Sequence, residues 1–135
     1  MDIKTFFEGD RYALHSGIEL LEVKEGYAKA KMDVKDHHLN AGNVVQGGAI
    51  FTLADLAFAA AVNAYGNLSV SVQTSIYFHK GVGEGTLFAE AKVVKLGKNL
   101  GNFEVCVTNE QNALIATFIA TAYRKDIVLP FQKEF

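Results

Sequence analysis

Cysteine, proline and excess charge are all scarce in this chain. Among its 135 residues Cys106 is the one cysteine and Pro130 the one proline. A single cysteine excludes an internal disulfide, and no Cys or His spacing suits a metal, so no metal site is expected. Cys106 falls in a strand-like run and reads as a small buried hydrophobe. The 13 Lys and Arg stand against 15 Asp and Glu, a net charge of −2. That balance gives no electrostatic case for nucleic acid, because no basic excess is available to neutralise phosphates. Met1-Asp2-Ile3-Lys4-Thr5-Phe6-Phe7-Glu8 lacks a basic stretch leading into an apolar core, so no signal peptide is read there and a cytoplasmic location is expected. With 50% hydrophobic and 21% charged residues, one ordered domain over residues 1–135 is expected.

The most informative stretch is His38-Leu39-Asn40-Ala41-Gly42-Asn43-Val44-Val45-Gln46-Gly47-Gly48. A polar loop ends there in a diglycine. The run that follows to Tyr65 is apolar and alanine-rich, with a single charge, Asp55, near its middle. A carboxylate in such a helix is costly to bury unless something uses or satisfies it. The length of the run raises a membrane span. Asp55, Thr52 and Asn63, together with strand-like flanks, argue instead for a helix wrapped by a sheet.

The remaining elements follow from periodicity. Ile3, Phe6 and Phe7 at helical spacing, behind a capping Asp2, predict a short helix over 2–9. Residues 17–25 read as a strand, Gly26 as a turn, and 27–34 as a half-buried strand with Ala28, Ala30, Met32 and Val34 on one face. After the helix, Gly66-Asn67 is a stop signal. Residues 68–78 alternate, placing Leu68, Val70, Val72, Thr74, Ile76 and Phe78 on one side and Ser69, Ser71, Gln73, Ser75 and Tyr77 on the other. Residues 86–96, 101–108 and 113–124 predict three further strands, and 126–135 an irregular tail. Tight connections among the last four strands predict an antiparallel meander. The helix then hides its apolar surface in the concave face of that sheet, an α+β arrangement.

This order and motif resemble the hotdog fold, an antiparallel sheet of five to six strands around one long central helix. More closely, the chain is similar to the small acyl-CoA thioesterases of the phenylacetate-degradation type, the PaaI-like group. Gly17-Ile18-Glu19-Leu20-Leu21-Glu22-Val23 and Gly26-Tyr27-Ala28 resemble that family's opening hairpin. Asn40 stands seven positions before Gly47, Leu53-Ala54-Asp55 fits the helix, and Val70-Ser71-Val72 with Ile76-Tyr77-Phe78 fits the next strand. Gln46 departs from the pattern, standing where the family usually has histidine. Asn43 replaces a common loop glycine, and His79-Lys80 occupies the stretch where a proline is familiar. The resemblance implies thioester hydrolysis on acyl-CoA, coenzyme A being part of the substrate and no separate cofactor being needed. It also implies a homodimer with sites at the subunit interface, paired into a homotetramer.

The residue types suit that chemistry. A helix start offers free backbone N–H groups and partial positive charge, and glycine lets a substrate approach the backbone closely. Gly47 N–H is the candidate oxyanion donor, assisted by Gln46 or Gly48. Asp55 is the candidate general base or nucleophile; the alternative is a structural carboxylate bonded to helix ends or to Asn63. Asn40 is a candidate contact for the attacking water or the carboxylate. Ser71 is a second water-orienting candidate, and Phe51, Phe58, Tyr65 and Tyr77 are candidates for an apolar acyl tunnel. Lys80, Lys95, Lys98 and Arg124 are candidates for the coenzyme A phosphates, while His37, His38 and His79 read as surface or loop residues. Gly47 and Asp55 are eight residues apart, about 12 Å along a helix, so one carbonyl cannot touch both within a chain. The expected site therefore joins Gly47 of one chain to Asp55 of another, with their helices antiparallel. A non-catalytic acyl-CoA-binding protein, a sensor or carrier, is the competing reading that Gln46 keeps open.

Overall fold

A computed structural model describes residues 1–131. Two short helices lead, α1 (Ile3–Phe7) and α2 (Arg11–His15). Asp2 and Asp10 cap them, their carboxylates accepting from Thr5 N and Ala13 N, each satisfying an otherwise orphaned first-turn donor. The expected segment 2–9 contains α1; α2, only five residues long, carries no periodic signal of its own.

The hairpin β1 (Ile18–Lys24) and β2 (Tyr27–Asp33) follows as expected, turning at Gly26 with φ +77°. Ala28, Ala30 and Met32 of β2 are fully buried. A 3-10 turn (Asp36–His38) and a loop then lead to the long helix α3 (Gly47–Asn63). Strands β3 (Asn67–Phe78), β4 (Thr86–Leu96), β5 (Leu100–Thr108) and β6 (Leu114–Val128) complete the chain. All pairings are antiparallel in one six-stranded sheet of order β1-β2-β4-β5-β6-β3. The sheet curls around α3, whose residues Leu53, Ala54, Ala57, Ala60 and Ala61 are wholly excluded from solvent. The sheet around one central helix is the hotdog arrangement that the sequence pattern resembles.

Three expectations need correction. Only β4, β5 and β6 form a meander. The loop after β3 carries the chain across the sheet, so β3 pairs with β6 and becomes an edge strand. Strand β6 continues to Val128, where it pairs with Asn67 of β3, so the first part of the supposed irregular tail is strand. Phe131 is buried against Phe6, ring centroids 5.5 Å apart; residues 132–135 of the expected tail lie outside the described residues.

The third correction bears on the site. A bulge between Ser71 and Gln73 shifts the register of β3 on β6. Residues paired across neighbouring strands share a face, and an extra residue flips that assignment along one strand. Beyond the bulge, Thr74, Ile76 and Phe78 pair with buried Ala120, Phe118 and Ala116, so they face the helix. Before it, Ser71 pairs with buried Ala122, so Ser71 shares that helix-facing side, whereas Val70 pairs with exposed Tyr123. The single alternation expected over 68–78 is therefore two alternations out of phase.

Candidate active site

The loop before α3 is built on Asn40. Its Oδ1 accepts from Gly42 N at 2.8 Å and Val44 N at 3.3 Å, while its own N–H donates to Val44 O at 2.8 Å. This is the side chain imitating a backbone turn. Asn43 takes φ +60° in that loop. Glycine is the residue most at ease there, and asparagine is among the few others that tolerate it. Gln46 N donates to His38 O at 2.8 Å and Val45 N to Val82 O at 2.7 Å, fixing the point at which the helix begins.

Gln46 is the N-cap of α3 without a side-chain cap bond. Its carbonyl accepts from Ala49 N at 2.9 Å and Ile50 N at 3.3 Å. The N–H groups of Gly47 and Gly48 have no acceptor among the described residues. They are the orphan donors every helix start presents. A Cβ on Gly47 would sit 3.0 Å from Phe78 Cζ, so the Phe78 ring lies directly over that glycine. A Cβ on Gly48 would lie 2.6 Å from Gln46 Oε1, because the Gln46 side chain folds back over it. Gly47 opens into a concave pocket of about 320 Å³, whose wall includes Asn40, Ile50, Phe78, His79 and Lys80.

Asp55 lies two helical turns further on. It is partly buried between Ala54 and Leu56, and no hydrogen bond or ion pair reaches its carboxylate among the described residues. Burial raises its pKa above the ordinary aspartate value, and the nearby Asp10 charge raises it further. No bond to a helix end or to Asn63 is present at Asp55 among the described residues. Asn63 bonds Ala59 O and Ser69 O through Nδ2 and accepts from Ser69 N, and so is committed elsewhere. A carboxylate held without a donor, near a second carboxylate, keeps its proton to higher pH than an ordinary aspartate, the direction that makes it a stronger base.

The other candidates divide. Asn40 and Gly47 share one pocket; Gln46 lies with Asn40 at the mouth of a second pocket beside His15, His37 and His38. Ser71 is exposed on the helix-facing side of the β3 edge, and Tyr77 is exposed on the opposite side. Phe58 is a correction: at 2% exposure, with its ring against Phe103 (5.5 Å) and Phe118 (6.1 Å), it fills the core and lines no tunnel. Phe51 packs its ring on Phe118 at 5.2 Å, and Tyr65 sits past the far end of α3 under the Arg124 guanidinium.

His38 is also a correction. It is buried, its Nε2 donating to Ser16 O at 2.7 Å and its Nδ1 accepting from Lys35 N at 2.9 Å, so it ties the loop to the end of α2. Cys106 is half-buried on the outer face of β5, not in the core. Sequence reasoning missed Phe78 as the cover of Gly47, because alternation gives the face of a strand residue and not the distant loop it meets. It also missed Asp10, because the short helix it caps carries no periodic signal. No helix among the described residues is long and apolar enough to cross a membrane.

Known proteins align with this geometry. The Thioesterase superfamily profile matches residues 42–116, from the Asn40 loop through α3 to β6. A putative esterase of Archaeoglobus fulgidus is 51% identical over 106 residues, covering 78% of this chain and 69% of that protein. The acyl-coenzyme A thioesterase PaaI of Escherichia coli is 34% identical over 121 residues, covering 89% and 86%. The solved structure of the E. coli protein superposes with a TM-score of 0.88, covering 92% of this chain and 91% of that one at 32% identity. A Streptococcus mutans protein solved with acetyl CoA bound superposes with a TM-score of 0.79 at 25% identity, covering 83% and 91%. With more than half of its length inside the profile and PaaI matched nearly end to end, the chain belongs to the thioesterase superfamily, as a hotdog protein of the PaaI-like group.

Proposed function

We propose that the protein is an acyl-CoA thioesterase whose two half-sites meet between subunits of a dimer. The observation that carries this is the separation within α3. Among the described residues, amide donors without acceptors stand at Gly47 and Gly48, a carboxylate without a partner stands at Asp55, and the pocket at Gly47 does not include Asp55. Eight residues of helix hold them about 12 Å apart. Two antiparallel copies of α3 bring the partner subunit's Asp55 to the Gly47 tip, and the two-fold repeats the site at the other end. The edge of β3 supports the pairing. It presents an unpaired row of backbone groups and exposed apolar side chains, Val72 at 57% and Phe78 at 53% exposure. Such an edge is a template for a second strand.

In this reading the thioester carbonyl accepts from Gly47 N–H, and negative charge developing on its oxygen is stabilised by that donor and the helix start. Water adds to the carbonyl carbon while the partner subunit's Asp55 takes its proton. The tetrahedral adduct then collapses, breaking the carbon–sulfur bond. Coenzyme A leaves as the thiolate, and the Asp55 carboxyl returns the proton to sulfur. Attack by Asp55 itself, through an anhydride that water then opens, gives the same products. Ser71, on the helix-facing side of the same edge, is the candidate that orients water. Asn40 Oδ1 is engaged within its loop, which leaves its amide N–H groups as the part that can donate into the pocket.

The E. coli relative is named as an acyl-coenzyme A thioesterase, and the S. mutans relative was solved with acetyl CoA; both support this substrate class. The test is thiol release from aromatic, short and medium acyl-CoAs, combined with subunit mixing. Neither Asp55→Ala nor Gly47→Val homodimers turn over. Randomly mixed, half the dimers are hybrids with one intact site of two, so activity returns to about a quarter of wild type. Tight acyl-CoA binding without thiol release from any substrate would instead make the protein an acyl-CoA-binding module. Absence of complementation would place the site within one chain.

A further inference from the structure

The pocket at Gly47 joins four apolar side chains, Val44, Val45, Ile50 and Phe78, to the basic segment His79-Lys80. No described carboxylate lines it. The Lys80 side chain is exposed, and its ammonium forms no ion pair among the described residues. Its backbone, by contrast, is held. His79 N and Lys80 N both donate to Ile115 O, at 2.8 and 3.3 Å. The His79 ring pairs through Nε2 with Thr117 Oγ1 at 3.0 Å, so that side chain is committed. Gly81 lies against the loop before α3: a Cβ there would come within 3.3 Å of Val44 Cγ1. Val45 N donates to Val82 O at 2.7 Å. The segment after β3 is thus pinned between β6 and that loop, and it carries Lys80 beside Gly47.

An uncommitted ammonium beside a thioester site asks for an anion, and coenzyme A does not bring one there. In a coenzyme A thioester, 13 bonds separate the sulfur from the first phosphorus. An extended chain gains about 3.5 Å per three backbone bonds, so phosphate begins about 15 Å from the sulfur. Lys80 shares with Gly47 a pocket of about 320 Å³, much shorter than that arm. Lys98 and Arg124 line a different pocket, with Asn67, at the other end of α3. The partner subunit's Asp55 is an anion in the proposed dimer, but a lysine paired with it would lower its pKa and weaken the base. The acyl group is the remaining source. The apolar wall suits methylenes, and Lys80 suits a carboxylate at the end of them. A cavity of about 150 Å³ holds a benzene ring, so a pocket about twice that size has room for an acyl group of about five carbons and its terminal carboxylate.

We infer that Lys80 selects acyl groups that end in a carboxylate, so that the substrate is the coenzyme A thioester of a short dicarboxylic acid. This rests on the thioesterase reading above and narrows it. Lys80 meets the far end of the acyl group and takes no part in bond breaking. Its charge also offsets the repulsion between the substrate carboxylate and the partner subunit's Asp55, which would otherwise exclude such an acyl group.

The experiment compares glutaryl-CoA with pentanoyl-CoA, whose acyl chains have the same number of carbons and differ in the terminal charge. The wild type turns over glutaryl-CoA with the higher kcat/KM. Lys80→Ala lowers the glutaryl-to-pentanoyl ratio of kcat/KM about tenfold, mainly through KM for glutaryl-CoA. Lys80→Arg keeps the preference and Lys80→Glu reverses it. Because the side chain is exposed, these variants fold, and their denaturant midpoints verify this. A wild type that favours pentanoyl-CoA, or a glutaryl preference that survives Lys80→Ala, overturns the inference. So does a Lys80→Ala loss of the same factor on both substrates, which would place the lysine on a phosphate or on the partner subunit's Asp55. Should the wild type hydrolyse neither thioester, calorimetry with the two intact compounds decides the pocket, and turnover of the wider acyl-CoA panel decides the hydrolase reading separately. Tighter binding of glutaryl-CoA, lost in Lys80→Ala, supports the inference; equal binding of the two removes it.

Discussion

Replacing Asp55 by asparagine has two effects of opposite sign. The carboxylate accepts no hydrogen bond among the described residues, so its replacement orphans no donor. Burial, and secondarily Asp10, holds its pKa above the ordinary value of 3.8. The folded chain therefore binds this proton more tightly than the unfolded chain does. Ionised Asp55 subtracts stability as pH rises from the ordinary aspartate range through the raised folded value, and the deficit is constant above it. Asparagine carries no such deficit. The Asp55→Asn protein should match or exceed the wild type in stability at about pH 8, with the advantage shrinking toward about pH 4. Turnover moves the other way. A positioned general base contributes about 10²–10⁴ in rate, or about 3–5 kcal/mol of barrier, all of it lost in the amide. Initial rates of thiol release and denaturant midpoints at both pH values measure the two effects. Turnover within about threefold of wild type would remove Asp55 from the chemistry. A stability loss of more than about 1 kcal/mol at the higher pH would mean that a structural partner had been cut.

Asp10→Asn keeps the α2 cap, since asparagine caps as well as aspartate, but removes the charge that helps hold the Asp55 pKa up; the acid limb of kcat against pH should move to lower pH. Gly47→Ala places a Cβ 3.0 Å from Phe78 Cζ and beside the N–H proposed to hold the oxyanion. The N–H is retained, so the effect is obstruction: a displacement of the carbonyl by about 1 Å should cost about 10² in kcat with little loss of stability, and Gly47→Ala/Phe78→Ala should relieve the ring contact without restoring an unobstructed approach to the amide. His38→Ala leaves Ser16 O and Lys35 N unpaired in a buried site, a loss of about 2–4 kcal/mol in denaturant unfolding.

The parts of this structure legible in the sequence are those written in local periodicity and in isolated chemical contrast. Helix α3 announced itself by length and apolarity, and Asp55 by being the one charge within it. The β1–β2 hairpin followed from Gly26 and the alternation of Ala28, Ala30 and Met32. What escaped was decided by pairing between distant segments. That β3 joins β6 and not β4 depends on how a loop crosses the sheet, and no period in 68–78 encodes that. The bulge at Ser71–Gln73 adds a residue without changing composition, so the face of Ser71 was beyond any single-strand reading, whereas the alternation of Thr74, Ile76 and Phe78 held. His38 looked like a loop residue because its burial is created by Ser16, 22 positions away.

The Gly47–Asp55 spacing shows why one chain can inform about two. A helix is a rigid ruler, and groups on it cannot be brought closer by repacking without breaking several backbone hydrogen bonds. When a reaction needs an electrophile-binding amide and a base at one carbon, two such groups on one ruler must be completed from elsewhere. The fold leaves that completion open on one side. All six strands pack on α3, and β3 ends the sheet with Ser71 and Phe78 on its helix-facing side and both only lightly covered. A second sheet edge placed there covers Val72 and Phe78 and brings another α3 alongside the first. In the proposed dimer, burial of apolar edge residues and assembly of the proposed catalytic pair are one event, so a charge introduced at the edge, as in Val72→Glu, should lower the dimer fraction in sedimentation and the turnover together. Activity that survives in a demonstrated monomer would break that linkage.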